Sequence, residues 1–73
     1  MKLQIRLDTQ NDVNKFVHAV AALPFGVTVT DNKGLRVNGK SVLGMIYSLE
    51  FAELWCECEQ DIYNIIKDFV VDL

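Results

Sequence analysis

The apolar residues of this chain switch several times between two spacings, and each switch indicates a new structural element. Alternation at every second residue predicts a half-buried strand, whereas recurrence at every third or fourth residue predicts an amphipathic helix. The alternating segments are residues 2–7, 27–30, 35–37 and 51–58. Helical spacing occupies residues 13–21, 42–49 and 62–70. The predicted element order is β-α-β-β-α-β-α, with a hairpin turn at residues 31–34 and the last helix starting near residues 59–61.

Each predicted strand has one apolar face and each predicted helix has one apolar stripe. These surfaces are buried together if all helices cover one side of an antiparallel sheet. We therefore expect an α+β fold, an open-faced sandwich in which three helices cover a four-stranded antiparallel sheet. The chain has 73 residues without a repeat or a linker, which predicts a single domain over residues 1–73.

Charge and hydropathy narrow the range of partners. The net charge is −3 and the seven basic residues are scattered, so we expect no nucleic-acid binding. No apolar run approaches the roughly 20 residues of a membrane span, and the first residues alternate instead of building the apolar region of a signal peptide. These features predict a cytoplasmic protein that does not associate with membranes.

The cysteine and histidine residues predict neither a disulfide nor a metal site. Cys56 and Cys58 are two positions apart on one strand, so they point the same way, are poorly placed to bond each other and are expected in the core. His18, the only histidine, lies far away on the predicted solvent flank of the first helix. We expect no metal, no cofactor and no phosphate acceptor at His18.

Residues 40–49, KSVLGMIYSL, resemble the regulatory-serine segment of HPr, the histidine-containing phosphocarrier protein of the bacterial sugar phosphotransferase system. The resemblance spans nearly the whole chain. Phe16-Val17 matches a Phe-Val pair of that family, and residues 31–34 lie where the family has a short hairpin turn. The resemblance implies an HPr-like fold, a role in that transport system and Ser41 as the position of the regulatory serine.

The catalytic segment of that family, a Gly-Leu-His-x-Arg-Pro-Ala-like run, has no counterpart here. Residues 7–13, LDTQNDV, stand in its place. Counting back from Phe16 puts the histidine at Thr9, whereas counting forward from Leu7 indicates a short deletion. A threonine phosphate ester is too stable to pass its group onward, and Asp8 and Asp12 would repel an incoming phosphate. We expect neither phosphocarrier activity nor another enzymatic activity.

Ser41 follows Asn38-Gly39 at the start of the second helix, where its plain role is that of an N-cap residue. The resemblance makes the same hydroxyl a candidate phosphorylation site, and phosphate there is compatible with the helix dipole and Lys40. Phe51 and Trp55 share the outer parity of the fourth strand and can form an apolar patch, unless Lys2 and Arg6 shield it. The candidate partner-binding residues are Lys40, Leu43, Met45, Phe51 and Trp55.

Three functional hypotheses follow from these residues. The first is an HPr-like regulatory adaptor that a serine kinase modifies and that binds proteins of the phosphotransferase system or a transcriptional regulator. The second is an interaction module with the HPr fold and no phosphorylation role. The third is an active phosphocarrier with an acceptor elsewhere. The sequence leaves homodimerisation open.

Overall fold

The structure is a computed structural model that describes residues 1–71. It contains the predicted elements in the predicted order. They are β1 (Lys2–Ile5), α1 (Gln10–Val20), β2 (Thr28–Thr30), β3 (Arg36–Asn38), α2 (Val42–Ser48), β4 (Leu54–Glu57) and α3 (Tyr63–Ile66). A 3-10 turn (Lys67–Phe69) follows α3 directly.

The four strands form one antiparallel sheet in the order β1-β4-β2-β3. The outer side of β1 is also paired, because the Val71 N–H donates to the Gln4 carbonyl at 2.9 Å and the Arg6 N–H donates to the Phe69 carbonyl at 2.8 Å. The chain after α3 therefore covers one edge of the sheet, and β3 forms the opposite edge.

The core lies on one side of the sheet. Alternate strand residues point into it, and each helix contributes apolar side chains from one stripe. The buried members include Ile5, Val29 and Cys56 from the sheet and Phe16, Val20, Met45 and Ile66 from the helices. The fold is an open-faced α+β sandwich, which confirms the predicted class.

The last helix is shorter than its pattern predicts. It begins at Tyr63 instead of near residues 59–61, and it makes one α-helical turn before the 3-10 turn. The preceding chain is held beside Met1, since the Cys58 N–H donates to the Met1 carbonyl at 3.1 Å and the Ile62 N–H donates to the Met1 Sδ at 3.3 Å. These contacts delay the helix, and Ile65, which lies in the segment with helical apolar spacing, is exposed.

The fourth strand is also shorter than predicted, because residues 51–53 form a turn and the pairing begins at Leu54. Within residues 1–71, no helix is long and apolar enough to cross a lipid bilayer.

Candidate functional site

Ser41 caps the N-terminus of α2, as predicted. Its backbone is extended, with φ −99° and ψ 115°, and its Oγ accepts a hydrogen bond from the Gly44 N–H at 3.2 Å. The preceding turn fixes this position, because the Ser41 N–H donates to the Asn38 carbonyl at 3.0 Å. Gly39 allows the turn to lie against β2, where a Cβ at residue 39 would be 2.8 Å from Val27 Cγ1. Ser41 itself is half-buried.

Lys40 is held at the end of α1 instead of extending freely into solvent. Its Nζ donates to the carbonyl of Leu23, which follows the last turn of α1. A cation is favourable there because the helix dipole is negative at the C-terminus. Because an ammonium group has three donors, Lys40 can hold this carbonyl and still bind an anion.

The outer side of α2 carries an apolar surface, called the α2 surface here and made of Val42, Leu43 and Tyr47. Their exposed fractions are 43%, 80% and 55%. The Tyr47 ring packs edge-on against Phe51, with 5.6 Å between ring centroids. Residues 42–48 include no charged side chain. Contiguous exposed apolar side chains on a small protein mark an interaction surface.

The structure places two of the five candidate partner-binding residues differently from the prediction. Met45 is fully buried, because it lies on the face of α2 that packs on the core, so it cannot dock a partner. Phe51 precedes β4 and packs on Tyr47, so it does not share a patch with Trp55 on the open sheet face. Leu43 is exposed as expected, and Lys40 is half-buried.

Trp55 lies half-buried on the open face of the sheet. Its Nε1 donates to Glu53 Oε1 at 3.1 Å, and the Lys2 Nζ lies 5.8 Å from the ring centroid. Lys2 therefore covers part of the indole through a cation–π contact. Arg6 instead pairs with Asp8, at 3.1 Å between Nε and Oδ1. The predicted shielding of the strand is found for Lys2 and not for Arg6.

The start of α1 is closed by its own side chains. The Asp12 N–H donates to Thr9 Oγ1 at 3.1 Å, and Asp12 Oδ2 accepts from the N–H groups of Asp8 at 2.9 Å and Thr9 at 3.2 Å. The bond from the Asp8 N–H is the main cause that lowers the pKa of the Asp12 carboxyl. A carboxylate thus already occupies the position where backbone N–H groups could hold a phosphate.

His18 lies exposed within α1, far from this helix start, as predicted. Cys56 and Cys58 are free thiols. Cys56 is a core residue, and burial raises the pKa of its thiol to about 12. Cys58 is only half-buried, and its Sγ lies 2.9 Å from the Gln60 carbonyl oxygen. Across the described part of the chain, no group of three or more His, Cys, Asp or Glu residues is arranged to hold a metal ion.

The sequence-based site prediction missed Val42 and Tyr47 as surface residues. The signal that could have revealed Tyr47 is a second apolar stripe on α2, which recurs at three- and four-residue spacing through Leu43, Ile46 and Tyr47.

Comparisons of the chain with protein-family models, with curated proteins and with solved structures found no match.

Proposed function

We propose that this protein is an HPr-like regulatory adaptor of the bacterial sugar phosphotransferase system, without phosphocarrier activity, and that Ser41 is its phosphorylation site. One observation carries the proposal: the segment that resembles the regulatory-serine segment forms α2, with Ser41 at its start and exposed apolar side chains directly after it. A cytoplasmic location and partners from that transport system, or a transcriptional regulator, belong to the same proposal.

Phosphorylation of Ser41 would alter the surface while keeping the fold. It adds about two negative charges and three acceptor oxygens. The Ser41 Oγ already accepts the Gly44 N–H, and a phosphate oxygen can accept the same bond, so α2 keeps its cap. The new charge would lie beside Leu43, which is the most exposed large apolar residue of the described chain. The unmodified protein would then favour partners that bind an apolar surface, and the phosphorylated protein would favour partners that bind an anion.

The start of α1 supports the loss of phosphocarrier activity. A phosphohistidine relay needs a neutral imidazole as nucleophile and N–H donors that hold the phosphate. Thr9, the position matched to the histidine by one alignment, is an N-cap residue here, and Asp12 accepts the N–H groups beside it. A phosphate at this place would have to displace a carboxylate and approach Asp8 as well.

A second candidate function is an interaction module without any phosphorylation. The hydroxyl of Ser41 has a complete structural role as N-cap, which needs no further explanation. The α2 surface is exposed in the unmodified protein, so partner binding does not require a phosphate.

The test incubates the purified protein with the HPr serine kinase and ATP, and separately with phosphoenolpyruvate and the first enzyme of the phosphotransferase system. Intact mass reads the product, and acid treatment separates a stable serine ester from a labile phosphohistidine. We expect one acid-stable phosphoryl group in the kinase reaction, absent from Ser41→Ala. Ser48→Ala is the matched control, because residue 48 is the only other serine and is buried.

Each outcome separates the candidates. A kinase product that survives in Ser41→Ala contradicts the assignment of the site. An acid-labile product from phosphoenolpyruvate refutes the loss of carrier activity. An unmodified protein in both reactions, with the kinase active on a known substrate, favours the interaction module.

A further inference from the structure

Helix α2 is apolar on both of its faces. Its inner face holds Met45, which is fully buried against the core. Its outer face is the α2 surface, on which Val42, Leu43 and Tyr47 are exposed and Leu43 and Tyr47 are one helical turn apart. A helix with this composition is normally covered on both sides. The protein covers only the inner face, so the outer face needs a partner.

The outer face is complementary to itself. Lys40 precedes α2 and Glu50 follows it, each five residues from Met45 in the sequence, and Leu43 and Tyr47 each lie two residues from Met45. A twofold axis that crosses the outer face of α2 at the level of residue 45 would place two copies of α2 antiparallel. Lys40 would then meet Glu50 of the second copy, and Leu43 would meet Tyr47 of the second copy, with each contact made twice.

Two side chains at this surface already have contacts within the chain. The Tyr47 ring is held edge-on against Phe51, and the Lys40 ammonium is held at the Leu23 carbonyl. Side chains that are fixed before association lose little conformational entropy when they bind. Lys40 can keep its bond to Leu23 and still meet a carboxylate, because it has three donors.

We infer that a second copy of this chain covers the α2 surface in a twofold-symmetric dimer. This association goes beyond the proposed function and does not depend on phosphorylation of Ser41. Helix α2 has seven residues and is therefore about 10 Å long, so the contact is at the small end of specific interfaces. The dimer is accordingly expected to be weak and to dissociate between about 10 μM and about 1 mM.

The first test is sedimentation equilibrium of the full chain from about 10 μM to about 1 mM, the range in which a weak dimer forms and dissociates. We expect the mass to rise from the 8.3 kDa of one chain toward twice that value. Leu43→Glu should keep the protein monomeric, because it places two charges in the centre of the contact. Ile65→Glu is the matched control on α3, where residue 65 is also an exposed apolar residue, and it should still dimerise.

The second test reverses the charges at the two ends of the helix. Lys40→Glu and Glu50→Lys should each weaken the dimer about tenfold, because each replaces two attractive pairs with two repulsive ones. An equimolar mixture of the two single variants should form a heterodimer, and the double variant should regain self-association. Isotope labelling of one variant identifies the mixed species by native mass spectrometry, and circular dichroism verifies that each variant is folded.

Three results would overturn the inference. They are a wild-type protein that stays monomeric at about 1 mM, a dimer that Leu43→Glu leaves intact, and charge-reversed variants that fail to pair when mixed. None of these measurements uses a kinase, so they stand or fail separately from the phosphorylation of Ser41.

Discussion

Replacement of Gly39 by alanine is expected to destabilise the protein, because the new methyl group has no space. A Cβ at residue 39 would lie 2.8 Å from Val27 Cγ1 and 3.1 Å from the Val27 carbonyl oxygen. The Gly39 N–H also donates to that carbonyl at 2.7 Å, so the two segments cannot separate without losing a hydrogen bond. Val27 is buried, and its side chain cannot turn into solvent. The turn must therefore shift, or Val27 must leave its packing position.

The expected cost is that of inserting one extra methyl group into a packed region, about 1–3 kcal/mol. For a domain of this size, 1 kcal/mol corresponds to about 4–8 °C in the unfolding midpoint, so the midpoint should fall by roughly 5–20 °C. Urea unfolding followed by tryptophan fluorescence measures the free energy, and a thermal scan measures the midpoint.

Gly26→Ala is the matched control for this substitution. A Cβ at residue 26 would meet no atom within 4 Å, and Gly26 does not have a left-handed backbone conformation. Alanine there reduces the freedom of the unfolded chain and should be neutral or stabilise the fold by up to about 1 kcal/mol. If both alanine variants unfold within about 0.5 kcal/mol of each other, the close approach at Gly39 does not limit packing and the reasoning is refuted.

Three further experiments test other parts of the structure. Met45→Ala should lower the free energy of unfolding by about 2–5 kcal/mol, whereas Leu43→Ala should change it by less than about 0.5 kcal/mol. Urea unfolding at low protein concentration measures both values, and equal losses would contradict the assigned faces of α2. The lowered pKa of Asp12 means that its contribution to stability is complete above the ordinary carboxyl value of 3.8 and is lost as the pH falls through the lowered pKa. Thermal unfolding of the wild type and Asp12→Asn from neutral pH to acid should therefore give midpoints that converge in acid, and a constant difference would disprove the linkage. Alkylation with iodoacetamide at mildly alkaline pH should modify Cys58 well before Cys56, whose buried thiol has a pKa of about 12, and equal rates in peptide mass mapping would contradict that burial.

The elements and most of the core could be predicted because they depend on local patterns. In α1, Val13, Phe16, Val17 and Val20 recur at helical spacing, and all four are buried. The N-cap role of Ser41 is equally local, since it depends on a hydroxyl and an N–H three residues later. Such features need no knowledge of distant parts of the chain.

The errors arose where packing contacts that periodicity does not specify decide the local structure. The pattern of residues 62–70 fits a longer helix, but Met1 holds the chain at Cys58 and Ile62, 57 and 61 residues away in sequence, and the helix starts later. Phe51 fits the alternation of β4, yet it packs on Tyr47 in the turn before the strand. Periodicity gives the spacing of apolar residues and does not identify the residues against which they pack.

Helix α2 shows how a small residue can decide between two apolar stripes of one helix. Both stripes have helical spacing, so periodicity alone allows either to face the core. A Cβ on Gly44 would lie 3.5 Å from Val37 Cβ, an ordinary van der Waals contact, so this side of the helix faces β3. Ser48, also small, is fully buried on the same inner side as Met45. Leu43 and Tyr47 turned inward would hold the helix away from the sheet, so the small residues favour the observed inner face and leave the apolar outer face exposed.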